Sequence, residues 1–244
     1  MRFRNLLAAA AMLASGFAFA AGGGDLEHAD INVHDKASLQ RGASLFVNYC
    51  LGCHSMQYLR YNRLVDDLGL SEEQVQQFML HGDQEVADAM VNSMDPDQAE
   101  QWFGIAPPDL SLTARSRGPD WIYSFLKSFY MTQDGWNNTV LENASMPHVL
   151  WELQGVQRAV TESHTDAEGV AHSEIVGLEL DEAGKLSPEQ YEAHIQDLVA
   201  FMRYASEPSM LQREKMGIWV LLFLVVFTFL AWLLYQEYWK EIKK

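Results

Sequence analysis

The chain has 244 residues, enough for one medium-sized domain with additional segments. Its 17 Lys and Arg stand against 33 Asp and Glu, a formal charge of -16. That balance argues against nucleic acid as a partner, which needs a basic face, and it favours basic proteins over anionic lipid headgroups. Acidity also simply keeps a protein dispersed, so charge alone does not name the partner.

Residues 1–20 read as a secretory signal. Arg2 and Arg4 give a positive start, residues 6–19 are apolar and Ala-rich, and Ala18-Phe19-Ala20 is an A-x-A cleavage site that would leave Ala21 first. A retained anchor is the alternative, but the apolar run is short for a membrane span. Export would carry the cysteines into an oxidising compartment, where they need a defined fate. Gly22-Gly23-Gly24 makes a flexible lead-in. Residues 35–49 then predict a helix: Asp35 can cap it, and Leu39, Ala43, Phe46 and Val47 recur at helical spacing.

That helix runs into Cys50-Leu51-Gly52-Cys53-His54, a C-x-x-C-H attachment pattern for a c-type haem. Cys50 and Cys53 are the only two cysteines. Two intervening residues let one turn present both sulfurs to the same porphyrin edge, each adding to a vinyl group as a thioether. His54 follows at once as a proximal iron ligand. A bare C-x-x-C would equally suit a thioredoxin-like redox pair or a disulfide. The adjoining His points away from that, and zinc is poorly served by one Cys pair with no H-x-x-x-H at finger spacing.

Beyond the motif, Met56 is too close to His54 to reach the opposite iron face and reads as packing. Ser71-Glu72-Glu73 opens a helix to about Leu80 with a capping signature. Residues 81–100 are polar and acidic, a solvated surface with His81 on it. In Ala106-Pro107-Pro108-Asp109-Leu110-Ser111 two prolines fix an extended turn and remove two N–H donors. Such a segment suits a haem face, though an ordinary surface loop reads the same way. Arg115 and Arg117 follow, and a guanidinium pairs well with a haem propionate. Residues 120–129 predict a helix with Trp121, Phe125 and Phe129 on one core face.

A sixth iron ligand is sought within residues 131–148. Met146 stands in a loop after Ala144 and Ser145, held extended by Pro147, so it can drape over a distal face. Met131 is the next choice and His148 the rival of the other type. A Met thioether raises the reduction potential where a second His leaves it lower. Residues 156–186 are acidic and turn-rich. Here a short hairpin is predicted near residues 170–180, with a turn at Asp181-Glu182-Ala183-Gly184. His164 and His172 sit there among carboxylates, in a solvated excursion rather than a metal site. Ser187-Pro188-Glu189 opens a helix whose apolar side (Ile195, Leu198, Val199, Met202) suits the first helix, and Pro208 ends it. Residues 216–235 carry no charge and would span about 30 Å, a bilayer core. Trp219, Trp232, Tyr235, Tyr238 and Trp239 are placed as interfacial anchors, and Lys240, Lys243 and Lys244 put the C-terminus in the cytoplasm.

In this order the C-x-x-C-H-S-M motif with Leu59-Arg60-Tyr61, the A-P-P-D-L-S segment, the arginine pair, Met146-Pro147, Tyr204-Ala205-Ser206-Glu207-Pro208 and the terminal span resemble the cytochrome c1 family, the haem subunits of the cytochrome bc1 complex (ubiquinol–cytochrome c reductase). The resemblance covers essentially the whole mature chain. It implies a mostly α, class I cytochrome c-like haem domain with long loops and a short hairpin excursion, plus one C-terminal transmembrane helix. It implies one covalent haem c on Cys50 and Cys53, axial ligands His54 and Met146, haem shielding by Pro107 and Pro108, and a propionate partner in Arg117. The segments would be a signal peptide (1–20), a periplasmic haem domain (21–207), an inner-membrane anchor with its lead-in (208–236) and a cytoplasmic tail (237–244). The implied role is an electron-transfer subunit, not catalytic alone. It would work with cytochrome b, a Rieske iron–sulfur protein, a soluble cytochrome c and membrane lipid, in a dimeric complex. Relatives often carry further Pro or Ala after the ligand Met, where this chain has His148 and Val149, and the stretch after Arg117 is shorter than in many of them. Two rivals remain: a haem c subunit of a terminal oxidase or nitric oxide reductase, whose anchor is commonly N-terminal, and a membrane-tethered thiol–disulfide enzyme using Cys50 and Cys53.

Overall fold

Two helices far apart in sequence cross at the centre of the domain. The structure, a computed structural model, describes residues 26–165 and 171–241, so the expected signal segment and its glycine lead-in lie outside the described residues. Helix α1 (Lys36–Leu45) is capped by Asp35, whose side chain accepts from the backbone N–H groups of Ala37 and Ser38. It continues without a break into a single π-helical turn, Phe46–Cys50, closed by the Leu51 N–H donating to the Phe46 carbonyl at 2.9 Å. Helix α8 (Pro188–Ala205) begins with a full capping box between Ser187 and Gln190, and Pro188 occupies its first position. Its buried face includes the predicted Ile195, Leu198, Val199 and Met202, and this face takes α1.

The crossing is close because residue 42 is glycine. A Cβ on Gly42 would sit 2.0 Å from the Asp197 carbonyl oxygen and 2.7 Å from the Phe201 Cβ. Beside it, Arg41 grips both Asp197 carboxylate oxygens, at 2.6 and 2.9 Å. A third helix, α6 (Pro119–Lys127), also packs on α8, and the buried Tyr191 hydroxyl donates to the Leu126 carbonyl at 2.9 Å. The largely buried Lys127 ammonium binds Glu27 and Glu192 and lies 4.7 Å above the Tyr123 ring, which ties the N-terminal segment to both helices.

The remaining elements are short. Strand β1 (Met56–Arg60) pairs antiparallel with β2 (Ala89–Met90), enclosing helices α2 (Asn62–Asp66) and α3 (Glu72–Phe78), the latter with the predicted Ser71 cap. Met56 is fully buried, as expected for packing. The Tyr204 hydroxyl donates to Asp67, which also pairs with Arg63 at 2.7 Å, tying α8 to α2. Helix α4 (Pro96–Phe103) falls where only solvated surface was expected, although Asp95 caps it and Pro96 starts it. Helix α5 (Thr113–Ser116) precedes α6. The predicted helix over 120–129 stops at Lys127. Phe129 belongs instead to strand β3 (Phe129–Met131), paired with β4 (Trp136–Asn138).

After helix α7 (Trp151–Gln154) comes a hairpin that is long, not short: β5 (Gly155–Thr165) pairs with β6 (Ala171–Ala183). The residues that join the two strands, 166–170, lie outside the described residues. Asp181, Glu182 and Ala183, expected in a turn, complete β6. The acidity that suggested a solvated excursion is compatible with a two-stranded ribbon, since both faces meet water and Val156, Val160, Thr161, Ile175 and Val176 supply strand propensity. Helices make up nearly half of the described residues. The last, α9 (Met210–Tyr238, 29 residues), is long and apolar enough to cross a membrane. It starts earlier than the uncharged run because its first turns dock on the domain. Met210 is buried there, Arg213 pairs with Glu207 at 3.0 Å, and Glu214 meets His34 at 3.0 Å.

Gly42→Val forces the crossing helices apart and is expected to lower stability by roughly 2–3 kcal/mol, the upper range for overpacking. Gly177→Ala, where an added Cβ meets nothing within 4 Å, serves as control in denaturant unfolding of the two variants.

Candidate haem site

The π-helical turn delivers Cys50, and the chain then folds tightly over it. The N–H groups of Cys53 and His54 both donate to the Cys50 carbonyl, at 3.0 and 2.8 Å. Both thiols are free, Cys50 buried and Cys53 half-buried. Burial, reinforced by the adjacent Cys53, pushes the Cys50 thiol up to about 12. A thiol held protonated is a poor partner for thiol–disulfide exchange, which runs through the thiolate.

The His54 ring is fixed by one contact. Nδ1 lies 2.8 Å from the Pro108 carbonyl oxygen. A carbonyl only accepts, so Nδ1 carries the proton and Nε2 is left bare, the tautomer a metal-ligating imidazole requires. Burial lowers the His54 pKa, with the Pro108 bond and nearby Asp109 opposing it in part. Pro108 is held in turn by the residues after it. Asp109 accepts from the N–H groups of Gln57 (2.9 Å) and Ser111 (2.8 Å), the Ser111 hydroxyl accepts from Tyr58 N–H (3.2 Å), and Leu110 N–H donates to the Ser55 carbonyl (2.8 Å). On the other flank the Asn92 side-chain amide donates to the Cys53 carbonyl, and Asn92 N–H to the Ser55 hydroxyl at 3.1 Å.

Sequence reasoning valued Pro107 and Pro108 for the donors they lack. The structure adds an acceptor, the Pro108 carbonyl, and a buttress of Asp109, Ser111 and Asn92 that was missed. Asp109 bonding to the N–H two residues on is an Asx turn, a pattern readable from the sequence. Asn92 carries no such signal.

Met146 is half-buried against the same core, as are Leu110 and Ala144. Its loop is pinned upstream by two asparagines. The fully buried Asn138 accepts from the N–H groups of Val140 (2.9 Å) and Leu141 (3.0 Å), and Asn137 accepts from Asn143 N–H at 2.8 Å. Met131 is committed to β3, opposite Trp136. His148 is only 2% exposed, stacked 4.9 Å from Phe129 and edge-on to Trp136 at 5.1 Å. Burial pushes its pKa down to about 4; the Gln154 side chain works in the opposite direction, though no well-formed hydrogen bond reaches the buried Nε2. Arg117 is exposed, its guanidinium 5.1 Å above the Trp121 ring, and Arg115 lies 4.0 Å from Glu207.

The donor set fits a covalently held haem: two unpaired thiols one turn apart, an imidazole with Nε2 bare, and a thioether in a pinned loop. Among the described residues no group of three or more His, Cys, Asp and Glu side chains is placed to hold a metal ion.

Motif, tethered imidazole and membrane-length terminal helix together fit an anchored haem-binding protein. Comparison with known proteins makes the class specific. Residues 27–242 match the Cytochrome C1 family. The chain is 48% identical to cytochrome c1 of Allochromatium vinosum over 97% of this chain and 96% of that one. It is 42% identical to the ammonia monooxygenase gamma subunit of Nitrosomonas europaea (89% and 88%), and 30% identical to cytochrome c1 of Rhodospirillum rubrum (98% and 97%). The chain belongs to the cytochrome c1 family.

Asp109→Ala removes both acceptors that hold the Pro108 segment and is expected to cost about 1–3 kcal/mol. Covalent haem should be unchanged, because Cys50, Cys53 and His54 are intact. Denaturant unfolding and an alkaline pyridine spectrum measure the two quantities separately.

Proposed function

We propose that this chain is the membrane-anchored, mono-haem electron-transfer subunit of a ubiquinol–cytochrome c reductase. It takes one electron at a time from a Rieske iron–sulfur protein and passes it to a soluble cytochrome c. The observation that carries this reading is the His54 Nδ1 contact with the Pro108 carbonyl at 2.8 Å, because it fixes the ring and leaves Nε2 of the motif histidine able to ligate iron. A free redox pair has no use for it.

When bound, the haem supplies a one-electron ferrous/ferric couple. The chain's own residues do the rest. Cys50 and Cys53 would hold the group by thioethers. His54 Nε2 and the Met146 sulfur would ligate its iron, a pair that favours a high potential. Pro107 and Pro108 would exclude water from the group, and Arg117 would pair with a propionate. Crossed α1 and α8 form the frame of a class I cytochrome domain over residues 21–207, preceded by a cleaved signal at 1–20. The anchor at 208–236 holds this domain on the periplasmic side of the inner membrane, against cytochrome b and lipid, in a dimeric complex. Lys240, Lys243 and Lys244 keep the tail at 237–244 cytoplasmic. The acidic surface favours a basic soluble acceptor.

Purification in mild detergent through a C-terminal tag, followed by addition of quinol, tests the reading. The expected result is co-purification of b-type haem and reduction of the c-type haem by quinol. A c-type haem accompanied by a haem–copper or non-haem-iron centre would transfer the chain to another complex. Met146→Leu is expected to keep covalent haem and lower the midpoint potential sharply; an unchanged potential removes Met146 as ligand.

A further inference from the structure

Residues 139–147 form the loop that carries Met146, between β4 and α7. Its upstream end is fixed by the side chains of Asn137 and Asn138, and Asn143 takes a left-handed conformation with φ of 57°. Its downstream end is fixed differently. His148 is 2% exposed, its ring lying parallel to Phe129 (4.9 Å, 5°) and edge-on to Trp136 (5.1 Å, 81°). The ring row extends further: Phe129 meets Phe125 edge-on at 5.0 Å, and Phe125 stacks on Trp121 at 5.0 Å. The His148 ring is thereby joined to α6, and Leu150, 2% exposed, buries the chain just beyond.

We propose that His148 is a positioning residue for the sixth ligand: clamped between Phe129 and Trp136, its ring fixes the backbone from which Met146 reaches the iron. The inference rests on the reading of Met146 as that ligand. Three observations support it. Residues 146 and 148 are separated only by Pro147, whose φ is fixed, so at most about 7 Å of chain joins the clamp to the thioether's backbone. A Met side chain has three rotatable bonds and cannot hold its own position, so its backbone must be held for it. Finally, Nε2 of His148 is buried near the Gln154 side chain without a well-formed hydrogen bond. The defined contacts of the imidazole are those of its ring with Phe129 and Trp136, so a ring of similar shape should replace it.

The test uses the full-length, haem-loaded protein in its membrane complex, with His148→Ala and His148→Phe compared. His148→Ala is expected to retain covalent haem by the pyridine spectrum. It should lose the near-infrared absorption of a thioether bound to ferric haem, lower the midpoint potential, and let the ferrous form bind carbon monoxide. His148→Phe is expected to restore the absorption, the potential and the resistance to carbon monoxide. An alanine variant that keeps all three properties overturns the proposal. So does a phenylalanine variant that loses them as the alanine variant does, because the imidazole itself would then be required. If His148→Ala does not assemble, Trp136→Leu removes one wall of the clamp and must weaken the same absorption; an unchanged spectrum there overturns the proposal equally. Met146→Leu, measured in parallel, separates the two ideas. If that variant keeps the absorption, the ligand reading fails whatever residue 148 does.

Discussion

At the crossing of α1 and α8 the Asp197 carbonyl lies where a side chain of residue 42 would otherwise be, and only glycine permits it. That approach brings Arg41 and Asp197 within a two-pronged hydrogen bond and seals Phe46 against Phe201, ring centroids 5.9 Å apart. The consequences run in both directions along the chain. Helix α1 passes into the π-helical turn and sets Cys50. Helix α8 ends shortly before α9, whose first turns are fastened to the domain through Met210, Glu207 and His34. One contact between backbones therefore relates the position of the cysteine motif to that of the membrane-length helix.

The polar chemistry of the site is a matter of acceptors. The Cys50 carbonyl gathers two N–H groups, Asp109 gathers two more, and the Pro108 carbonyl takes the proton of His54. Each satisfies a backbone or ring donor in the turn or the strap beside it, which is how a short irregular loop holds a defined shape. The same burial that lowers the His54 pKa raises that of Cys50. Both effects keep charge out of the turn: the imidazole stays neutral and able to ligate, and the thiol does not become a thiolate ready for exchange.

Much of this was legible in the sequence where the signal is local. The C-x-x-C-H motif, the Asp35 and Ser187 caps, Pro188 at a helix start and the uncharged terminal run each state their meaning within a few residues. What was hidden depends on partners far away in the chain. The Pro108 carbonyl matters only because folding brings it to His54, 54 positions earlier. Asn92 likewise reaches back 39 positions to Cys53. The π-helical turn adds one residue to a helix without altering its apolar pattern enough to be seen. Helix α4 was overlooked although Asp95-Pro96 marks its start, because its face is mostly polar and exposed. Phe129 was assigned to a helix because its spacing from Phe125 is helical, yet strand pairing with Asn138 prevails.

The β5–β6 ribbon has a consequence for how the protein survives in solution. Among the described residues the two strands pair only with each other, and a ribbon of this kind leaves outer backbone donors and acceptors able to template strand addition. Here Glu162 faces Glu174, Arg158 faces Glu179, and Asp181 and Glu182 follow on the return strand. A second ribbon approaching edge to edge would meet the same excess of negative charge, without water to screen it. Charge of one sign along these strands of 11 and 13 residues opposes such pairing, as gatekeeper residues do.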